Sequence, residues 1–303
     1  MSVKPVYAQG NQPDGVPPLE LTGERTLPDV PAENYWFRRH LAVYEWIAAR
    51  VRGRRVIDMA CGEGYGADVL ARVAAQVVGV DANPQAHEHA RLRYRRPNLR
   101  FERDLVETFS APADAVVFLQ TIEHLQDPVA VLEHFRSLVA GSGAEETAGA
   151  VRPARVAGVA EADGSAEADE TAEVARAMGV DRVAAAAGTV FVSTPNVLTL
   201  APAGAPRSDN PWHVHEYRAA EFERLCRGTF SSVEMYGLFH ARKLRLHELA
   251  LRTGWDSIHP RLRLTGPFYD RFTPAISASD FALRAPGEAD LDRALDFIAV
   301  CRP

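Results

Sequence analysis

Residues 54–81 read RRVIDMACGEGYGADVLARVAAQVVGVD, and the fold follows from this stretch. Val56 and Ile57 are a short β-branched run, the composition of a strand buried on both faces of a parallel sheet. Gly62, Gly64 and Gly66 follow at once, where a chain leaving a sheet must turn tightly and let a ligand touch backbone. From Asp68 to Ala75 the spacing of Val69, Leu70 and Val73 is helical. Val77 to Val80 is the next strand, and Asp81 stands at its carboxyl end. A carboxylate about 20 residues past such glycines is placed to grip the hydroxyls of a ribose.

Charge decides which ligand the turn accepts. Gly62, Gly64 and Ala67 also fit the dinucleotide fingerprint GxGxxG/A. Asp58, however, precedes the glycines, Glu63 lies within the turn, Asp81 ends the next strand and Asp104 follows a third. No Lys or Arg lies between Arg55 and Arg72. A pyrophosphate would meet carboxylates and no cation, whereas a sulfonium and an α-amino group are attracted. VIDMACGEGYG, with VVGVDANP after it, resembles motif I and the following acidic motif of class I S-adenosylmethionine (SAM) methyltransferases. Ala60 replaces the first glycine of the usual D-x-G-x-G-x-G.

That resemblance implies an α/β, Rossmann-like fold: a seven-stranded, mostly parallel sheet of order 3-2-1-4-5-7-6 with helices on both faces. It implies SAM as cofactor, with Asp58, Ala60, Gly62 and Gly64 around its methionine portion and Asp81 on its ribose. Asp104 stands where the superfamily often puts an acid near the adenine amino group, and Gln120 completes the expected cofactor set. A leading helix closes over the cofactor in related enzymes, so Tyr35 and Arg38 are expected to meet its carboxylate.

Composition sets the remaining bounds. A 303-residue chain that is 47% hydrophobic has ample material for a core and is read as one domain, residues 1–303. The net charge of -6 disfavours a nucleic-acid partner. Cys61, Cys226 and Cys301 have no paired spacing, so neither a disulfide framework nor a zinc site is expected. No signal peptide or long apolar run stands out, and a cytoplasmic protein without a membrane partner is expected. Oligomeric state is left open.

In chain order, residues 1–21 read as a flexible tail, and a helix begins near Ala32. Glu24, Arg25 and His40 are, with Tyr35 and Arg38, difficult to explain as core residues. Pro84 to Arg95 is a helix, Leu99 to Arg103 a strand and Ala113 to Gln120 a strongly apolar strand. TIEHLQDP then stands at the carboxyl end of the fourth strand, beside the switch point where parallel sheets hold ligands. It is similar to the EHL-x-D-P segment of small-molecule methyltransferases and unlike the D/N-P-P-Y/F tetrad of DNA amino-methyltransferases. His124 is a candidate general base, and equally a residue that only orders the loop. Glu123 and His124 alone are too few ligands for a divalent cation such as Mg2+, so no metal site is assigned.

Residues 141–187 form a low-complexity insertion rich in Ala, Glu, Gly and Asp. Thr189 to Asn196 is the fifth strand, and NPWHVHEY (Asn210 to Tyr217) follows in a polar loop. In an extended segment His213 and His215 share one side and face an acceptor, as base or binding group; turn-stabilising histidines held by Glu216 are the alternative. Ser232 to Phe239 and Asp296 to Arg302 are the last two strands, the final one entering antiparallel.

LTGERTLPDVPAENYWFRRH, ACGEGYGADVLA, IEHLQDP, VSTPN and GLFHARKLR together resemble an actinobacterial subgroup associated with methylglucose polysaccharide synthesis. The resemblance implies methyl transfer to an oxygen of a small-molecule or oligosaccharide acceptor, with His124, His213 or His215 removing the proton. A nicotinamide-dependent oxidoreductase and a non-catalytic SAM-binding scaffold are the rival readings. Asp58 and Glu63 weigh against the first.

Overall fold

The computed structural model describes residues 6–7, 13–23, 25–140, 188–202, 204–261 and 265–303. The insertion at 141–187, Glu24 and much of the first twelve residues lie outside them. Eight strands make the main sheet: β1 (Arg55–Met59), β2 (Gln76–Val80), β3 (Leu99–Glu102), β4 (Ala115–Leu119), β5 (Thr189–Pro195), β6 (Ser232–His240), β7 (Phe281–Arg284) and β8 (Asp296–Arg302). Their order is β3-β2-β1-β4-β5-β8-β6-β7. The first five are parallel, and β8 runs antiparallel between β5 and β6. The expected order of seven strands is therefore present, with one correction. Phe281–Arg284, only four residues long, pairs antiparallel with β6 and adds an eighth at the edge.

Alternation along each strand divides the core between two faces. Val56, Val77 and Val117 pack under α1 (Asn34–Ala48) and α2 (Tyr65–Ala71). Ile57, Val78, Val116 and Phe118 pack against α4 (Pro128–Ala140) and α6 (Ala219–Thr229). The remaining helices are α3 (Pro84–Arg93), the single turn α5 (Val197–Leu200), α7 (Arg242–Arg252), α8 (Trp255–Arg261) and α9 (Thr265–Ala275).

The stretch read as a tail is docked over its described part. Leu19 is 2% exposed and packs with Leu27 and Val30, while Leu19–Glu20 pairs with Val6–Tyr7. His89 Nδ1 donates to the Pro17 carbonyl at 2.7 Å. A two-residue ribbon has no periodicity to betray it.

Two features fix where a ligand can sit. Strand order reverses between β1 and β4, which opens a crevice at their carboxyl ends. Arg39, 5% exposed on α1, donates from Nε to Asp296 on β8 at 2.7 Å and to the Leu295 carbonyl at 2.8 Å. This buried pair fastens α1 across the carboxyl end of the sheet.

Candidate active site

The crevice has two compartments. The first is lined by Ala60, Gly62 and Gln120 with Arg25, Thr26, His40, Tyr44 and Thr121. Ala60 and Gln120 have positive φ, 56° and 52°, which a non-glycine residue adopts at a cost. Both strained residues end a strand at the switch point. Arg25–Thr26 lies across the turn, the Thr26 and Tyr65 hydroxyls being 2.9 Å apart.

Asp58 is buried beneath the turn and accepts the Tyr44 hydroxyl at 3.2 Å. Burial, aided by the charge of Asp81, pushes its carboxyl up to about 8, despite that hydrogen bond. Asp81 accepts from Gly62 N and Asn83 N, each at 2.8 Å, which holds it against the turn. Burial raises its pKa as well.

Several expected residues take other places. Glu63 turns inward: it accepts Tyr65 N and the Tyr94 hydroxyl and faces His89 and Arg93. Its carboxylate is engaged by these partners inside the fold. Gly64 (φ 99°) closes on Ala90 and Phe101, making it a packing glycine rather than a wall of the crevice. Asp104 accepts Leu105 N and the Thr108 hydroxyl, closing its own turn.

Helix phase corrects the leading helix. Tyr35 points away from the crevice, its hydroxyl 2.8 Å from His240 Nε2 and its ring against Phe281. Arg38 Nε donates to Asn34 Oδ1 at 3.1 Å. Trp36, Arg39, His40 and Tyr44 face the ligand side instead, at the three- and four-residue spacing of one helix face. Burial lowers the His40 pKa to about 4, so its ring is neutral at pH 7.

Arg25, rather than the expected Arg38, is the arginine that lines the first compartment. Its Nε is buried and has no hydrogen-bond partner among the described residues. It borders both compartments. A buried, unsatisfied guanidinium nitrogen is costly unless a ligand meets it. Asp58 and Asp81 stand behind this compartment, bonded to Tyr44 and Gly62 of its lining.

The second compartment, about 290 Å³, lies between α1 and the 204–217 loop. The Glu123 carbonyl accepts Val214 N at 2.8 Å and His215 N at 3.1 Å, pinning the loop onto the end of β4. His213 Nδ1 donates to Glu216 Oε1 at 2.7 Å, and Asn210 Nδ2 donates to Nε2 at 3.0 Å. Nε2 is therefore the lone-pair nitrogen. Burial would raise Glu216, but hydrogen bonds from Ser208 and His213 outweigh it and hold this carboxylate below its ordinary range. His124 Nδ1 donates to the Trp212 carbonyl at 3.0 Å, and its ring centre is 5.0 Å from that of His213. His215 is exposed outside the loop, its ring 4.5 Å from that of Tyr217. The segment bends at Val214, between the two histidines, instead of running extended, and His213 is buried while His215 is exposed.

The third donor missing from the sequence reading arrives with this loop. Ligand atoms of Glu123, His124 and His213 all lie within 4.8 Å of one another. Folding brings together what 89 residues of chain separate between His124 and His213.

A Rossmann-like sheet with a ligand compartment against the Gly-rich turn at its switch point is the architecture expected of a SAM-dependent methyltransferase. The methyltransferase-domain family description matches residues 33–145. A probable S-adenosylmethionine-dependent methyltransferase of Mycobacterium tuberculosis is 34% identical over 292 residues, covering 93% of this chain and 89% of its own. The chain belongs to the SAM-dependent methyltransferase family, and SAM is its cofactor. A ubiquinone biosynthesis O-methyltransferase of Albidiferax ferrireducens is 35% identical over 108 residues, 33% of this chain and 43% of its own. Among solved structures, a SAM-dependent methyltransferase of Thermotoga maritima, described as a possible histamine N-methyltransferase, aligns over 89% of this chain and 93% of its own at 10% identity and a TM-score of 0.49. Among the described residues, no helix is long and apolar enough to cross a membrane.

Proposed function

We propose that the enzyme methylates a hydroxyl oxygen of a small-molecule or carbohydrate acceptor seated in the second compartment, with His213 as general base. The observation that carries this reading is the His213–Glu216 pair. A carboxylate on Nδ1 makes Nε2 the accepting nitrogen, orients the ring and stabilises the imidazolium formed when it takes a proton; in this reading the acceptor hydroxyl displaces the Asn210 amide from Nε2. When bound, SAM supplies an electrophilic methyl group on a sulfonium. A sugar hydroxyl is hardly acidic, so a positioned base is needed; such bases contribute typically 10²–10⁴-fold.

The other residues divide the remaining tasks. Arg25 receives the SAM carboxylate and Asp81 its ribose, while buried Asp58 holds the Tyr44 hydroxyl in the wall of the compartment. Admitting the cofactor requires the Thr26–Tyr65 contact to open. His40 and Gln120, shared by both compartments, lie where donor and acceptor meet. His124 lines the acceptor side and steadies the loop through Trp212. An oxygen acceptor agrees with the partial likeness to a ubiquinone-pathway O-methyltransferase, and a sugar acceptor with the sequence motifs. Transfer from radiolabelled SAM to methylated-glucose oligosaccharides, their unmethylated counterparts and simple phenols tests the reading. Label on an amine in a mixed acceptor panel, with none on any hydroxyl, would overturn it.

A second reading is favoured by the Glu123, His124 and His213 cluster. One carboxylate and two imidazoles suit a borderline divalent ion such as zinc better than magnesium. An ion held there would acidify the acceptor hydroxyl directly. Metal analysis of the purified enzyme, with transfer measured before and after chelation, separates this route from the metal-free base.

A further inference from the structure

A groove of about 1000 Å³ opens beside the acceptor compartment, at the carboxyl end of β6 and alongside β7. Arg242, Arg245 and Arg252 reach it from α7, Arg284 from β7 and Arg293 from the turn before β8. Five guanidinium groups face two carboxylates, Glu248 and Asp290, in a chain whose net charge is -6. Like charges gathered from three separate stretches repel one another, so the arrangement is costly unless an anion joins it.

The arginines differ in what holds them. Arg252 pairs with Glu248, Arg242 donates to Ser279 Oγ at 3.3 Å, and Arg284 lies over the Phe239 ring. The side chains of Arg245 and Arg293 are exposed and make no hydrogen bond or ion pair among the described residues. Arg242 is also held at φ 44°, a strained backbone at the entrance to α7. Guanidinium groups with unused donors are suited to planar, bidentate capture of carboxylate or phosphate.

The groove adjoins the active site. Thr199 lines the groove and the next residue, Leu200, lines the acceptor compartment. Leu295 lines the groove, while Arg39, which holds its carbonyl, lines the compartment. We infer that this groove is a distal acceptor subsite that holds an acidic group, a carboxylate or a phosphate, on the molecule being methylated. The inference rests on placing the acceptor in the neighbouring compartment.

Calorimetric titration of the full chain with inorganic pyrophosphate and with citrate, in low and in high salt, tests it. Saturable binding in low salt is expected, weakened at least tenfold in an Arg245→Gln/Arg293→Gln variant whose affinity for S-adenosylhomocysteine is unchanged. Tighter pyrophosphate binding assigns a phosphorylated acceptor and tighter citrate binding a carboxylated one. An Arg91→Gln/Arg227→Gln variant, with the same charge change on remote helices, should bind both probes as the parent does. Absence of saturable binding, or equal weakening in the two variants, would overturn the subsite. The titration needs no transfer, so it stands apart from the base assignment: a His213→Ala variant that keeps both probe binding and full transfer would remove the proposed base and leave the groove.

Discussion

The Tyr44 ring occupies the space that a side chain on Gly66 would need. A β-carbon added to Gly66 would fall 2.1 Å from Tyr44 Cζ, closer than any real contact. Gly66→Ala should therefore displace the tyrosine and its hydrogen bond to Asp58. We expect about 1–3 kcal/mol of destabilisation, the usual cost of overpacking, together with weaker S-adenosylhomocysteine binding. Thermal unfolding and calorimetry read both. An unchanged melting temperature would mean that the ring moves freely.

Asp58 gives a pH dependence of defined sign. Its carboxyl is raised from 3.8 to about 8 in the folded chain, so folding favours its protonated form. This contribution is fully present below pH 4 and is lost as pH rises to about 8. Asp58→Asn, which keeps an acceptor for Tyr44, should stabilise the cofactor-free enzyme above pH 4 by an amount that grows up to pH 8. The linkage ceiling is on the order of 5 kcal/mol. Parallel melting curves for parent and variant across this range would refute the assignment.

Arg25→Ala should weaken S-adenosylhomocysteine binding at least tenfold and leave 5′-methylthioadenosine, which lacks the amino acid portion, unaffected. Equal loss of both ligands would place Arg25 in a general structural role.

The loop histidines should separate cleanly. His213→Ala is expected to lower methyl transfer by 10²-fold or more without changing cofactor affinity. Glu216→Gln should lower it less and move the acid limb of the pH–rate profile. His215→Ala, on the outer side of the loop, should stay within about twofold. Comparable loss at His215 and His213 would contradict the base assignment.

Much of this architecture was legible because each signal was local. Val56–Ile57, the glycines and Asp81 lie within 28 residues, and burial on both faces leaves strands one through five little choice of composition. The apolar DFIAVCR run likewise announced β8. What escaped depends on contacts distant in sequence. Tyr35 and Arg38 were assigned to the ligand because helix phase relative to a sheet cannot be read without the sheet. Arg39 gained its place from Asp296, 257 residues away. Glu63 gained partners on α3 that no turn motif records, and His215 left the site because a bend at Val214 broke the alternation.

The wall shared by the two compartments has a thermodynamic consequence. Arg25, Thr26, His40 and Gln120 border both, so neither ligand can settle without fixing side chains that the other also needs. Ordering them once serves two binding events, and the second ligand meets a surface already arranged. Linkage makes the effect reciprocal: the factor by which the methyl donor tightens the acceptor is the factor by which the acceptor tightens the donor. A titration of either ligand in the presence of the other's unreactive analogue therefore measures heterotropic cooperativity in this enzyme, and a Gln120 or His40 variant should reduce both affinities' enhancement by the same ratio.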